Sequence, residues 1–210
     1  MKTRWIIGID EVGRGALAGP VTVGVVAIRA NATRISASAK LPLRDSKKLS
    51  PTQREAWVKH MRVWKRERGD IYFATKSMSH KVVDKINVAQ AANRAATRAL
   101  QALLIDSAIN PKYAKVFLDG GLYVNGKHSV KFPKTETIIR GDEKVSVIAL
   151  ASIMAKVTRD RKLTRLDAEY PVYKFAMHKG YGTKVHIKAI KKHGISDIHR
   201  LTFTSKWANI

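Results

Sequence analysis

The chain contains no cysteine, which excludes disulfides, thiolate metal sites and cysteine nucleophiles together. It is poor in acid: 16 Asp and Glu stand against 40 Lys and Arg, giving +24 over 210 residues. No apolar run approaches the ~18 residues of a membrane-spanning helix, and no internal repeat or low-complexity tract is present. The stretch from Met1 reaches Asp10 too soon for a secretory h-region, so a soluble, cytoplasmic protein is expected. Hydrophobic residues, at 45%, suffice for a real core, and the length fits one domain or one domain with a small appendage.

The missing negative charge says most about partners. A surface so basic attracts a polyanion, because each neutralised phosphate releases a condensed counterion. Nucleic acid is the leading candidate and an anionic membrane surface the weaker one. On charge alone, a ribosomal or chromatin-type binder without chemistry fits as well as an enzyme. The few acids therefore become informative, since most positions would bind a polyanion better if neutral or basic.

Trp5 to Ile9 is an apolar run ending at Asp10-Glu11, and Val21 to Ile28 is valine-rich; both read as strands. Between them lies the turn-rich Gly13-Arg14-Gly15-Ala16-Leu17-Ala18-Gly19-Pro20. Ala30 to Arg44 is polar and without a period, a surface loop. Ser50-Pro51-Thr52-Gln53 signals a helix start, running to about Arg66. Asp70 to Ser77 alternates as a strand does, and the Ala-rich stretch from Ile86 to Ile105 reads as a helix. Tyr113 to Leu118 and Thr135 to Ile139 are further strands. Val147 to about Leu166 is a helix buried over its first half, and Thr183 to Lys192 a short basic one. Trp57 and Trp64 fall on one face of their helix and belong to the core. This order predicts an α/β fold with a mixed central sheet flanked by helices. The main domain spans 1–169, and 170–210 form a small basic helical appendage packed on it as one structural unit.

Three apolar strands end in acid: at Asp10-Glu11, at Asp119 and at Asp142. One such end is no more than a solvated strand terminus. Three, each beside glycine, fit better with ligand-contacting strand ends gathered at one edge of a sheet. Four carboxylates so gathered repel one another, and the natural remedy is a hard divalent cation with oxygen ligands. Carboxylates with Mg²⁺ beside a basic surface suggest two-metal phosphodiester hydrolysis.

Asp10-Glu11-Val12-Gly13-Arg14-Gly15 followed by Leu17-Ala18-Gly19-Pro20-Val21 closely resembles the opening motif of the ribonuclease HII (type 2 ribonuclease H) family. Asp45-Ser46-Lys47-Lys48-Leu49-Ser50, Leu118-Asp119-Gly120, Gly141-Asp142 and the run from Ala151 to Arg161 resemble its further signatures. So do His178-Lys179-Gly180-Tyr181-Gly182-Thr183-Lys184-Val185-His186 and His199-Arg200-Leu201-Thr202-Phe203. The match is collinear from about residue 5 to residue 207. Ala16 departs from a usual proline and Gly121 from a common asparagine. The stretch between Asp119 and Asp142 is a few residues long, with a hairpin tip expected near Asn125-Gly126.

The resemblance implies a ribonuclease H-like fold and an endoribonuclease cutting RNA in RNA–DNA hybrids. It also implies incision 5′ of single ribonucleotides embedded in duplex DNA, leaving 3′-OH and 5′-phosphate ends, as in ribonucleotide excision repair. Asp10, Glu11, Asp119 and Asp142 become the catalytic tetrad holding two Mg²⁺ or Mn²⁺ ions; spacing does not say which carboxylate bridges them. Asp10 and Glu11 would point to opposite faces of a regular strand, so both serve only if the strand ends there or bends. Gly13, Arg14 and Gly15 become a junction sensor whose backbone reaches the 2′-OH, with Arg14 in a phosphate-contacting or structural role. Tyr181 becomes the ring that stacks on the deoxyribose after the ribonucleotide. Ser46 and Lys47 would hold a phosphate near the cut, with Ser152 and Lys156 further contacts. Lys184, with Lys179, Lys188, Lys191 and Lys192, would clamp the duplex. Outside the family context, Gly-Arg-Gly is an ordinary turn, Tyr181 a half-buried turn tyrosine and the lysines a solvated face.

Arg159 and Asp160 read as a structural ion pair. His178, His186, His193 and His199 fit no zinc-helix spacing and read as surface or phosphate-neighbouring groups. A monomer without membrane contact is expected. The rivals are a transposase or junction-resolving nuclease, which would cut all-DNA substrates, and a non-catalytic RNA binder, which would tolerate loss of Asp10 and Asp142.

Overall fold

The computed structural model describes residues 4–32, 43, 46–124 and 134–207. Most of the expected loop from Ala30 to Arg44, together with Asp45 and the hairpin tip at Asn125-Gly126, lies outside the described residues.

Five strands form one mixed sheet: β1 (Trp5–Val12), β2 (Val21–Arg29), β3 (Ile71–Met78), β4 (Ala114–Asp119) and β5 (Lys134–Ile138), in the order β3-β2-β1-β4-β5. β1 pairs antiparallel with β2 and parallel with β4; β2–β3 is antiparallel and β4–β5 parallel. β2 is buried at every position but its last, which explains why it reads as a continuous apolar run and not an alternating one.

Helices α1 (Pro51–Arg68), α2 (His80–Ile86) and α3 (Val88–Ser107) precede β4. The expected start of α1 is present as a capping box between Ser50 and Gln53, with Pro51 in the first turn and Gly69 closing the helix at φ 62°. The helix expected from Ile86 to Ile105 is α3, and a short helix that the sequence reading did not anticipate, α2, stands before it. Ser79 caps α2 and Asn87, at φ 60°, breaks the chain and caps α3. The alanines of α3 (Ala91, Ala92, Ala95, Ala96, Ala99) let it lie close on one face of the sheet against Ile7, Ile9, Val23 and Val25.

After β5 come α4 (Gly141–Lys144) and α5 (Ser146–Glu169), and then α6 (Phe175–His178), α7 (Lys184–His193) and α8 (Leu201–Thr204). α5 covers the other face of the sheet together with Trp57, Val58, Met61 and Trp64 of α1. The approach of α5 is set by two glycines: a Cβ at Gly24 would meet the Ala151 carbonyl at 2.2 Å, and one at Gly8 the Val147 carbonyl carbon at 2.4 Å. A third core joins the segment after Glu169 to the rest: Tyr173, Phe175, Ile190 and Ile198 pack on Leu17, Ala18 and Leu163. Among the described residues, no helix is long and apolar enough to cross a membrane.

Candidate active site

Asp10 and Glu11 lie near the end of β1, and Asp119 ends β4. One carboxylate oxygen from each comes within 4.8 Å of the other two. β1 does not end or bend to allow this; its ladder with β2 continues through Asp10–Gly24 and Glu11–Val23 to Val12–Thr22. What stops is the other partner. Pairing with β4 ends at Ile9–Leu118, so beyond Ile9 one flank of β1 is open and carboxylates from both of its faces reach round it.

The cluster is electrostatically strained. Asp10 is 4% exposed, and burial, then the charges of Glu11 and Asp119, push its carboxyl well above the usual range. The Ser152 hydroxyl and the Glu11 amide, which donates to Asp10 Oδ1 at 2.7 Å, partly counter this. Glu11 is pushed up to about 7, chiefly by burial with Asp119 adding to it, although Arg14 Nε stands 2.5 Å from its Oε1. Glu11 Oε2 is buried with no hydrogen-bond partner among the described residues. Asp119 Oδ1 accepts from the Gly141 amide at 2.6 Å, which ties β4 to the start of α4.

Asp142 is not brought into the three-carboxylate set. It sits buried on α4 with Lys47 Nζ 3.4 Å from its Oδ2, across a cleft of about 550 Å³ that Asp119 also lines. Ser46 and Ser152, expected on phosphates, are buried and share a 2.8 Å hydrogen bond, which places them behind Asp10. Lys47 is exposed on the cleft rim. Lys156 is half-buried and 3.5 Å from Asp160, its pKa lowered by burial; it lines a second cleft, of about 760 Å³, beside Tyr181. Lys184 is exposed at the first turn of α7.

The Gly-Arg-Gly turn is fixed by what lies beneath it. Gly13 has φ +91°, and a Cβ there would stand 2.3 Å from Arg159 Nε. Arg14 has a structural place, its guanidinium between Glu11 and the Gly121 carbonyl. Gly15 is exposed. The next residue, Ala16, bridges to Tyr181, and Ala18 bridges to His199, so the segment that carries the turn also pairs with the tyrosine.

Two buried arginines hold this assembly, and neither makes an ion pair within 4 Å among the described residues. Arg159 donates to the carbonyls of Pro20 (2.9 Å), Lys179 (2.7 Å) and Ala18 (3.1 Å), and its guanidinium lies 5.3 Å from the Tyr181 ring centre. Arg200 donates to those of Gly19 (3.0 Å) and Arg14 (2.7 Å), its Nη2 buried without a partner among the described residues. Burial is the main reason both lose basicity, Arg200 to about 10. Arg159 and Asp160 thus do not pair with each other; Asp160 faces Arg54 and Lys156. His178, His186 and His199 are likewise not at the surface. They are buried against Tyr173 and Phe175, while His193 is exposed. Sequence reasoning gave Arg159 a structural role with the wrong partner, and missed Arg200 and the three buried histidines as structural groups. Only His186 carries a local signal, sharing the buried i, i+3, i+4 face of α7 with Ala189 and Ile190.

A family model described as Ribonuclease HII matches residues 7–206. A curated Ribonuclease HII from Endomicrobium trichonymphae is 41% identical over 199 residues, covering 95% of this chain and 85% of that protein. The crystal structure of ribonuclease H2 from Pyrococcus horikoshii OT3 superposes with a TM-score of 0.73 at 24% identity, over 97% of this chain and 96% of that one. That of Bst-RNase HIII in complex with Mn²⁺ gives 0.68 at 16% identity, over 98% and 70%.

Proposed function

This chain belongs to the ribonuclease HII family, whose members cleave the RNA strand of RNA–DNA hybrids, and we propose that it also incises duplex DNA 5′ of a single embedded ribonucleotide. The observation that carries this reading is the meeting of Asp10, Glu11 and Asp119 beside a Gly-Arg-Gly turn bridged to Tyr181.

The donor set suits hard divalent cations. It consists of carboxylate oxygens that repel one another, one of them, Glu11 Oε2, buried without a hydrogen bond among the described residues. Asp10, Glu11 and Asp119 would hold the ions, with Asp142 the fourth carboxylate from across the cleft. Two Mg²⁺ or Mn²⁺ ions bound there would supply a water of lowered pKa and offset charge on the leaving 3′-oxygen, giving 3′-OH and 5′-phosphate ends. Ser152 and Ser46 keep the Asp10 carboxylate aimed. The backbone of Gly13 and Gly15 reads the ribose 2′-OH in the minor groove, and Arg14 steadies Glu11. The Tyr181 ring packs on the following sugar, which lies flat only if it lacks a 2′-OH. Lys47, Lys156 and Lys184 place the phosphates without reading bases. The protein acts as a cytoplasmic monomer, in which residues 170–210 clamp the duplex against the catalytic domain, residues 1–169.

The test uses three labelled duplexes: DNA with one ribonucleotide, an RNA–DNA hybrid, and all-DNA. Each is incubated with Mg²⁺ or EDTA and with wild type or Asp119→Asn. Metal-dependent incision 5′ of the lone ribonucleotide, lost in the variant and absent on all-DNA, is the expected result. Cleavage of the hybrid alone would remove the junction reading, and cleavage of all-DNA would point to a resolving nuclease.

A further inference from the structure

The Tyr181 turn is held from behind by a hydrogen-bond chain with only one possible direction. The Ser196 hydroxyl lies 2.8 Å from His199 Nδ1 and can donate or accept, but the Ser196 amide lies 2.9 Å from the same atom and can only donate, so the proton of a neutral His199 sits on Nε2. The Tyr181 carbonyl lies 3.0 Å from His186 Nδ1 and can only accept, so the His186 proton sits on Nδ1 and its Nε2 is a bare acceptor. The two Nε2 atoms are 3.0 Å apart. His199 therefore donates to His186, and the chain runs from the Ser196 amide through both rings to the Tyr181 carbonyl. Any other tautomer would set two lone pairs or two protons face to face.

The same logic places the third ring. His178 Nδ1 accepts from the Gly180 amide at 3.2 Å, and its Nε2 donates to the Tyr173 carbonyl at 2.7 Å. It stacks on His186 with ring centres 4.3 Å apart. Filling this space would need only apolar side chains, which carry no desolvation cost. A buried polar chain with every ring nitrogen matched instead specifies one geometry for the backbone it touches.

We propose that His186 and His199 are positioning residues for junction selection, fixing the Tyr181 turn, and so the attitude of the Tyr181 ring, before substrate arrives. The proposal rests on the reading that Tyr181 meets the deoxyribose. Because Ala16 bridges to Tyr181 and Ala18 to His199, loss of the chain would also shift the tyrosine against the Gly13–Gly15 turn.

The experiment compares kcat and KM of the full-length enzyme on single-ribonucleotide DNA and on RNA–DNA hybrid, with thermal melts alongside. The variants are His199→Leu, His199→Gln and Tyr181→Ala. Both His199 substitutions fill the ring's space, but only the Gln amide can donate to His186. His199→Leu should lower the ratio of single-ribonucleotide to hybrid kcat/KM about tenfold, the scale of one buried hydrogen bond, and His199→Gln by less than about threefold. Equal ratios for Leu and Gln, or equal losses on both substrates, would overturn the proposal and mark a purely structural role. If Tyr181→Ala loses the ratio while His199→Leu keeps it, the chain alone is wrong. If Tyr181→Ala keeps it, the Tyr181 reading fails and takes the proposal with it. Long-range ¹H–¹⁵N spectra of the wild type need no variant to fold. They should show His186 protonated on Nδ1 and His199 on Nε2, and an Nε2–H tautomer at His186 would overturn the chain.

Discussion

The carboxylate cluster and the Tyr181 turn share one segment, Asp10 to Ala18, yet they are built on opposite principles. At the carboxylates, acceptors crowd together and donors are scarce, so Glu11 is pushed up to about 7 and its Oε2 finds no hydrogen bond among the described residues. At the turn, donors have been brought to the carbonyls. Arg159 serves Pro20, Lys179 and Ala18, Arg200 serves Gly19 and Arg14, and His186 serves Tyr181. The first region gathers repelling charge that a bound cation would offset. The second is finished without a ligand. Chemistry needs a site whose charge is incomplete, whereas discrimination between two sugars needs a surface that does not adapt to the wrong one.

The largest effect that would sharpen this contrast is Asp119→Asn. The amide oxygen can still accept from Gly141, but one ligand charge is lost, so kcat should fall on the order of a thousandfold. In EDTA the same variant should melt a few degrees higher than wild type, because repulsion within the cluster is relieved. A lower melting temperature would mean that the cluster is not strained.

Next comes Arg159→Met, which leaves three buried carbonyls without donors. It should cost about 3 kcal/mol or more, seen as a fall in Tm of roughly 6–12 °C in thermal melts. A change within error would show that water or a rearranged turn takes over the carbonyls.

The two regions should also respond to acid with opposite sign in the metal-free protein. His186 and His199 are held down to about 4 by burial, from 6.5 unfolded. Their contribution is present above 6.5 and is lost as pH falls from 6.5 through 4. Glu11, raised from 4.5 to about 7, contributes fully below 4.5 and loses that contribution as pH rises through 7. Melts of Glu11→Gln in EDTA should therefore decline more steeply between pH 6.5 and 4 than those of wild type, by a few degrees. Parallel curves would remove the opposition.

The smallest expected effect is at Lys184, exposed at the start of α7. Lys184→Gln should weaken duplex binding modestly on every sequence and reduce the salt slope by about 1, measured by titration at several salt concentrations.

Much of the carboxylate side could be read in the chain. An apolar run that stops at Asp10-Glu11 or Asp119 announces both the strand and the acid that follows the run, and the Ser50–Gln53 box announces α1. The supporting side could not. Arg159 finds carbonyls 20, 139 and 141 residues away, and Arg200 finds its own 181 and 186 away. Arg159 reads as structural but with the wrong partner, and in a chain of +24 Arg200 looks like any solvated arginine. The histidines read as surface groups for the same reason. Apart from the buried face of α7 that carries His186, no local pattern separates a ring that meets a distant ring from one that faces water.

The sequence by itself determined the strands, the acid that closes β4 and the strongly basic charge, because these follow from short-range periodicity and composition. Asp10 and Glu11, by contrast, lie inside β1, and Asp142, expected at a strand end, lies on α4. The tertiary structure alone decided three things. Ending the β4 pairing at Leu118 lets Asp10 and Glu11 meet Asp119. The cleft holds Asp142 beside Lys47 and outside that set. Buried arginines and histidines clasp the Tyr181 turn. Each depends on which backbone groups lose water together, and that is fixed only when distant segments pack.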